Sequence, residues 1–335
     1  MPGTPGALTT DDVPLLFLYN EFRDSVERHN EMDRNFKDLF CQPPATKKRT
    51  VTIRQRSMRF QESGEDTTQP DYQHVDRRDI DLEAPRRWVI GTGITARAYE
   101  EGIDSAEVRE HNAEIIDADN RLIQEVIIRR ALWNTAGGWY NGALAVAPPN
   151  FKMNRFTVAH DHYLAANVAG VPLLAHFTAL KEHIQHHGYT RNMIAFMNIA
   201  QATNVVNNTE WATAPGPMPT RVMENLQELG LVPGFMAAGI PVYPDDWIPE
   251  NYILVTSLDD KPMKWRIPEG GDKSQRNTHE LMLFQVAAGD ESLSVKYLFI
   301  QEAARWTSAT VALQGAAAVI YLGGPNYVNP TGFYV

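Results

Sequence analysis

Charge is segregated along the chain between positions 47 and 83, and few folds accommodate that arrangement. Lys47 to Phe60 reads KKRTVTIRQRSMRF, with Lys47, Lys48, Arg49, Arg54, Arg56 and Arg59 and no acid. Asp71 to Glu83 reads DYQHVDRRDIDLE, dominated by Asp71, Asp76, Asp79, Asp81 and Glu83. Between them Glu62 to Pro70, ESGEDTTQP, is turn-rich and lacks a large apolar residue. Val51 and Ile53 alternate with threonines, and Val75, Ile80 and Leu82 sit among charges, so both flanks read as strands. Antiparallel pairing sets the basic strand against the acidic one, which is mildly favourable across a ladder. The expectation is a long two-stranded hairpin over 47–83 with a polar, exposed tip. Two strands alone are marginal in water, so this hairpin needs another surface to lie on.

Helical and strand periodicities then alternate. Val13 to Phe40 holds one helix. Asp104 opens DSAE, a capping-box-like start, and Val108, Ile115, Leu122 and Val126 carry an apolar stripe that runs until Gly137 and Gly138. Pro172 to Gly188 reads as a helix with Leu173, Phe177, Leu180 and Ile184 on one face. MIAFMNI, Met193 to Ile199, reads as a buried strand, AQATNVVNN as a helix, and Arg221 to Leu229 as a short helix. From Gly239 onward short strands alternate with Pro, Asp and Gly turns, while AARWTSATVALQGAAA is ambiguous between helix and strand. This mixture is α/β in character. No repeat of fixed period suggests a solenoid.

Composition narrows the function classes. The 335 residues are 43% hydrophobic and 21% charged, enough for a large core and unlike a disordered chain. No run of about 18 apolar residues provides a membrane span. MPGTPGALTTDDVP has neither the basic start nor the apolar core of a secretory signal. The single Cys41 cannot form an internal disulfide and has no local partner that would mark a nucleophile. With 31 basic and 41 acidic residues the net charge is −10, which disfavours a DNA-coating role. A basic strand over Lys47–Arg59 could touch phosphate, but its acidic neighbour offsets it.

Candidate chemistry is sparse. His160 and His162 flank Asp161, and KEHIQHHG supplies His183, His186 and His187. His183 and His187, four apart, share a helical face as zinc ligands can, but Glu182 precedes His183 and the HExxH order is absent. Histidines in a last helical turn also suit the negative end of the helix. Gly91 and Gly93 lack the third glycine of a dinucleotide loop and read as a turn or strand kink. No GxSxG elbow occurs. The expectation is no catalytic residue, no cofactor and no metal; a histidine-based metal-dependent enzyme is the alternative from a different class.

Taken in order, the arm, charged hairpin, long helix, helix–strand–helix unit and strand-rich ending resemble the major capsid proteins of tailed bacteriophages. These have the Hong Kong 97-type fold, which bacterial encapsulin shells share. His183–Asn198, HIQHHGYTRNMIAFMN, resembles the helix, glycine turn and strand of that family's axial domain. Gly239–Ile267, GIPVYPDDWIPENYILVTSLDDKPMKWRI, resembles its recurrent G-I-P-V, acidic, I-P, Y-I, K-P, R stretch. In element order the resemblance covers about residue 45 to the end.

The resemblance implies an α+β Hong Kong 97-like capsid fold. Its parts are an N-terminal arm at 1–46, an extended hairpin loop at 47–83, and a peripheral domain at 84–164 with a spine helix at 104–135. An axial domain follows at 165–285, and return strands of the peripheral domain at 286–335. The implied function is a structural subunit that self-assembles, as pentamers and hexamers, into the icosahedral head shell around a DNA genome. The extended loop lies on a neighbour, which makes Arg54, Arg56, Arg59, Glu62, Glu65, Asp66, Asp76 and Asp79 the expected intersubunit contacts. The shell belongs to the virion capsid and is assembled in the host cytoplasm. Separate scaffold, portal and decoration or cement proteins are possible partners, packaged DNA is touched only non-specifically, and no membrane is involved. Some members crosslink through a loop lysine, but no lysine lies between Lys48 and Lys152 here, so covalent crosslinking by that route is not expected. The short arm points to a separate scaffold. An encapsulin-like nanocompartment, with residues 13–40 docking its cargo, is the alternative within the fold.

Overall fold

The computed structural model describes residues 8–31, 36–54, 77–95, 101–135, 138–139, 160–214, 231–258, 261–268, 281–285 and 297–333. In chain order its first elements are α1 (Leu15–Glu31), α2 (Phe36–Phe40), β1 (Cys41–Thr46), β2 (Thr50–Arg54), β3 (Arg77–Asp81), β4 (Arg86–Thr95) and α3 (Ser105–Leu132). Then come β5 (Tyr163–Ala165), α4 (Leu174–Gln185), β6 (Met193–Met197), α5 (Ile199–Asn208), β7 (Phe235–Ala237) and β8 (Ile240–Pro244). The last are β9 (Tyr252–Ser257), β10 (Met263–Arg266), β11 (Met282–Gln285), β12 (Tyr297–Val311) and β13 (Ala317–Tyr321). The class is α+β. The helix expected at 221–229 lies outside the described residues. Among the described residues, no helix is long and apolar enough to cross a membrane.

The chain divides into two compact units, the first made of residues 1–36, 84–124 and 266–308. Leu15, Leu18, Phe22 and Val26 fall at helical spacing and are buried along one face of α1. Leu15 and Leu18 pack with Ile103 and Val108, and Phe22 and Val26 with Ile115, Leu281 and Ala303. The start of α3 is capped as its sequence predicts, with Asp104 Oδ1 accepting from the Glu107 N–H at 2.8 Å. Asp11 reinforces it from outside the helix, accepting from the Ser105 hydroxyl at 2.5 Å and the Ser105 N–H at 3.0 Å. Those bonds, the hydroxyl's first, hold the Asp11 carboxyl down at about 2.

Up to Ser308, β12 lies in the same unit, and it runs antiparallel to both β4 and β11. Gly91 and Gly93 lie inside β4, opposite Glu302 and Ile300, so the glycine pair belongs to a strand and makes no phosphate loop. The ambiguous AARWTSATVALQGAAA stretch resolves as strand up to Val311, where β-branched Thr307, Thr310 and Val311 suit a buried pleated surface.

The second unit comprises residues 37–83, 125–265 and 309–335. Its centre is a six-stranded sheet in the order β5-β13-β9-β6-β8-β7. β13 is parallel to β5 and β6 to β8, and the other pairs are antiparallel. Phe177, Leu180 and Ile184 of α4 and Ala202 and Val205 of α5 bury against Ala195, Met197, Val242, Ile253, Val255, Ala318 and Ile320 of the sheet. β6 is buried at every position, which is why MIAFM reads as a continuous apolar run and does not alternate. Asn198 ends β6 and caps α5, accepting from the Ala200 N–H at 2.9 Å. α4 begins at Leu174, later than Pro172 suggested, with the His176 ring accepting the Leu173 N–H at 3.1 Å.

β12 and β13 fall largely in different units. Residues of β12 up to Ser308 belong to the first unit, whereas β13 sits between β5 and β9 in the second. The cause is local: Ala317 to Ile320 are all buried and pair with β9, and Val319 and Ile320 pair with β5 as well, so they need a central position in a sheet.

Candidate functional site

The base of the predicted hairpin is present in the second unit. β2 and β3 pair antiparallel, Thr50 opposite Asp81, Thr52 opposite Asp79 and Arg54 opposite Arg77. The ladder joins a threonine face to an aspartate face: Thr50 Oγ1 donates to Asp81 at 3.0 Å and Thr52 Oγ1 to Asp79 at 2.6 Å. The basic-against-acidic pairing expected from composition is therefore not what closes this end, because the register sets threonines across from the aspartates. Leu82 is buried, its N–H donates to Arg49 O at 2.8 Å, and the Glu83 N–H donates to Thr310 Oγ1 at 2.8 Å. Glu83 also lies 3.7 Å from the Arg130 guanidinium. Of the expected contact residues, Arg54 and Asp79 fall in the described strands, and Arg56, Arg59, Glu62, Glu65, Asp66 and Asp76 lie outside the described residues.

A second constellation gathers the histidines. α4 ends at Gln185, and a tight turn follows in which the His187 N–H donates to Ile184 O at 3.1 Å. Gly188 leaves that turn at φ +86°, a left-handed conformation that suits glycine. His160 and His162 stand just ahead of β5. Asp161 between them turns back so that its Oδ1 accepts the Tyr163 N–H at 2.8 Å. Pairing of β5 with β13 brings His162 beside Ala317, and His162 Nδ1 lies 2.6 Å from the Ala317 carbonyl oxygen. The Nε2 atoms of His160, His162 and His187 then form a triangle with sides of 3.1, 3.0 and 2.9 Å.

Its surroundings fix that geometry. His183 stacks on the His160 ring at a centroid distance of 5.1 Å and an interplanar angle of 11°. Gly315 backs His187 so closely that a Cβ there would lie 2.5 Å from the imidazole Cγ, so only glycine fits. Burial, followed by the neighbouring imidazoles, pushes His160 down to about 4 and His187 to about 3, and His162 well below the usual histidine range. These rings are neutral and do not serve as cations at a helix C-terminus. The grouping also differs from the helical-face pairing of His183 with His187: His187 lies past the helix end and joins His160 and His162, which no spacing rule in one segment could reveal. Cys41 is buried, and desolvation raises its thiol to about 12, far from a thiolate nucleophile.

No protein-family profile matches the chain, and no curated protein matches its sequence. Solved structures do match. A chain of Mycobacterium phage Patience is similar over 98% of this chain and 96% of its own, with a TM-score of 0.65 and 19% identity. The capsid of cyanophage P-SCSP1u matches 86% of this chain and 88% of its own, at TM-score 0.54 and 11% identity. The capsid of cyanophage A-1(L) matches 85% of this chain and 92% of its own, at TM-score 0.52 and 13% identity. The chain therefore has the α+β phage-capsid fold of the Hong Kong 97 type.

Proposed function

We propose that this protein is a major capsid protein, a structural subunit that self-assembles into the icosahedral head shell of a tailed phage. One observation carries the reading: backbones of phage capsid chains recur over 86% and 85% of this chain at 11% and 13% identity. A shape kept while side chains diverge is what an assembly of fixed geometry demands of its subunit. Fold alone admits many functions, and two further features favour a shell. Leu16 and Phe17 on α1 are 54% and 56% exposed, and Val171, Leu173 and Leu174 are exposed ahead of and at the start of α4. Symmetric copies would cover such residues. The two-stranded β2–β3 ladder, held at its base through Leu82 and Glu83, also calls for a neighbouring surface.

In this reading residues 1–46 are the arm, 47–83 the extended loop, 84–164 the peripheral domain with the spine helix and 165–285 the axial domain. Arg54, Arg56, Arg59, Glu62, Glu65, Asp66, Asp76 and Asp79 meet a neighbouring copy. The role is structural, and the protein resides in the virion capsid after assembly in the host cytoplasm.

The test is sedimentation velocity of the wild type beside an Arg54→Glu/Arg56→Glu/Arg59→Glu variant. The variant should unfold within about 0.5 kcal/mol of the wild type per site, since surface changes cost little. It should lose the large sedimenting species, because its loop-to-neighbour contacts invert sign. A triple variant that assembles like the wild type removes the loop from the interface.

A further inference from the structure

The imidazole triangle holds a contradiction that hydrogen bonding cannot resolve. Each Nε2 either carries a hydrogen or presents a lone pair, so among three at least two are alike. With sides of 2.9 to 3.1 Å, one edge must then set two lone pairs or two N–H groups face to face at hydrogen-bond distance. His162 fixes part of the assignment. The Ala317 carbonyl can only accept, so the ring hydrogen of His162 is on Nδ1 and its Nε2 turns a lone pair into the triangle. Donation of the far ring N–H to a backbone carbonyl is the outer-shell contact that orients metal-bound histidines.

A cation at the centre removes the conflict. Ligand nitrogens about 2.05 Å from a tetrahedral Zn²⁺ lie roughly 3.3 Å apart, so each edge needs to open by only a few tenths of an ångström. We propose that His160, His162 and His187 form a binding site for a transition-metal dication, Zn²⁺ above all. The metal braces three pieces of the second unit: the segment ahead of β5, the turn after α4 and, through His162, the β13 strand. Gly315 leaves room for the ring of the third ligand, and His183 stacks behind the first. Three protein nitrogens leave the fourth tetrahedral position to water. The site stands independently of the shell reading, since it lies within one unit of one chain.

The full-length chain, stripped with EDTA and dialysed, is titrated with Co²⁺ followed in visible absorption, then with Zn²⁺ by calorimetry. One equivalent of Zn²⁺ per chain is expected, displacing a tetrahedral Co²⁺ spectrum. Zn²⁺ at a hundredfold excess over Kd should raise Tm by about 4 °C. His187→Gln and His160→Gln should each weaken binding by at least about tenfold, and His111→Gln, at an exposed position of α3, should leave it unchanged. Absence of stoichiometric binding by the wild type overturns the proposal, as does binding that survives His187→Gln or is lost in His111→Gln. The wild-type titration decides even where a histidine variant fails to fold.

Discussion

Asp119 sits in the first unit with its carboxylate 1% exposed, between His29 at 2.9 Å and the guanidinium of Arg305, whose Nη2 donates at 2.6 Å. Burial alone would raise this carboxyl, but the hydrogen bonds from His29 and Arg305 and the charge of Arg305 outweigh it and hold it below the usual range. Removing Arg305 strands a buried anion, so Arg305→Met should cost about 3–5 kcal/mol in urea unfolding. The sign of the acid response follows from the depressed folded value. The stabilisation is complete above the unfolded carboxylate value of about 3.9 and is lost as pH falls through the lower folded value. Urea midpoints should hold down to pH near 5 and fall below about 4, less steeply in Asp119→Asn. Cys41 should resist alkylation in the native protein and react only on unfolding, since its buried thiol is raised to about 12. None of these pairings was legible in the sequence: Asp119 and Arg305 are far apart in the chain, and His160, His162 and His187 meet only because β5 pairs with β13. Periodicity reports the face a residue occupies, not the partner it finds across the fold.

At the scale of elements, the C-terminal end of α3 shows what periodicity can and cannot say. The stripe through Val108 and Ile115 and the Asp104 cap predicted a long helix over 104–135, and the structure has 105–132, about 42 Å at 1.5 Å per residue. What satisfies its last carbonyls came from elsewhere. Ala131 O accepts from the Trp139 indole at 2.6 Å, Leu132 O from the Tyr327 hydroxyl, and Trp133 O from Tyr163 Oη at 2.8 Å and Arg130 Nη2 at 2.9 Å. Tyr163 Oη also accepts the Trp139 N–H at 3.0 Å. Tyr163→Phe leaves that buried N–H without its acceptor, so it should cost about 1–3 kcal/mol in thermal or urea unfolding. A loss near zero would mean that water replaces the hydroxyl. The strands β6, β8 and β9 were legible because continuous apolar runs bounded by Gly, Pro and Asp leave few choices. The division of the last residues between two units was not, since strand order depends on partners that no local pattern encodes.

For the whole molecule, charge and hydropathy set boundaries and left the assembly to shape. The net charge of −10 argued against coating DNA, and the polar hairpin expected over 47–83 asked for a neighbour. The Hong Kong 97-type backbone supplies a setting in which both make sense, because contacts that are weak singly become strong when repeated around a closed shell. Exposed Leu16 and Phe17 should then be covered on assembly. The most direct measurement is negative-stain electron microscopy of the full-length protein across a range of concentration and salt, with sedimentation to size the particles. Closed shells, or regular five-fold and six-fold rings, are the predicted result. A chain that stays monomeric or dimeric under every condition, with no ring or shell, would contradict the capsid reading.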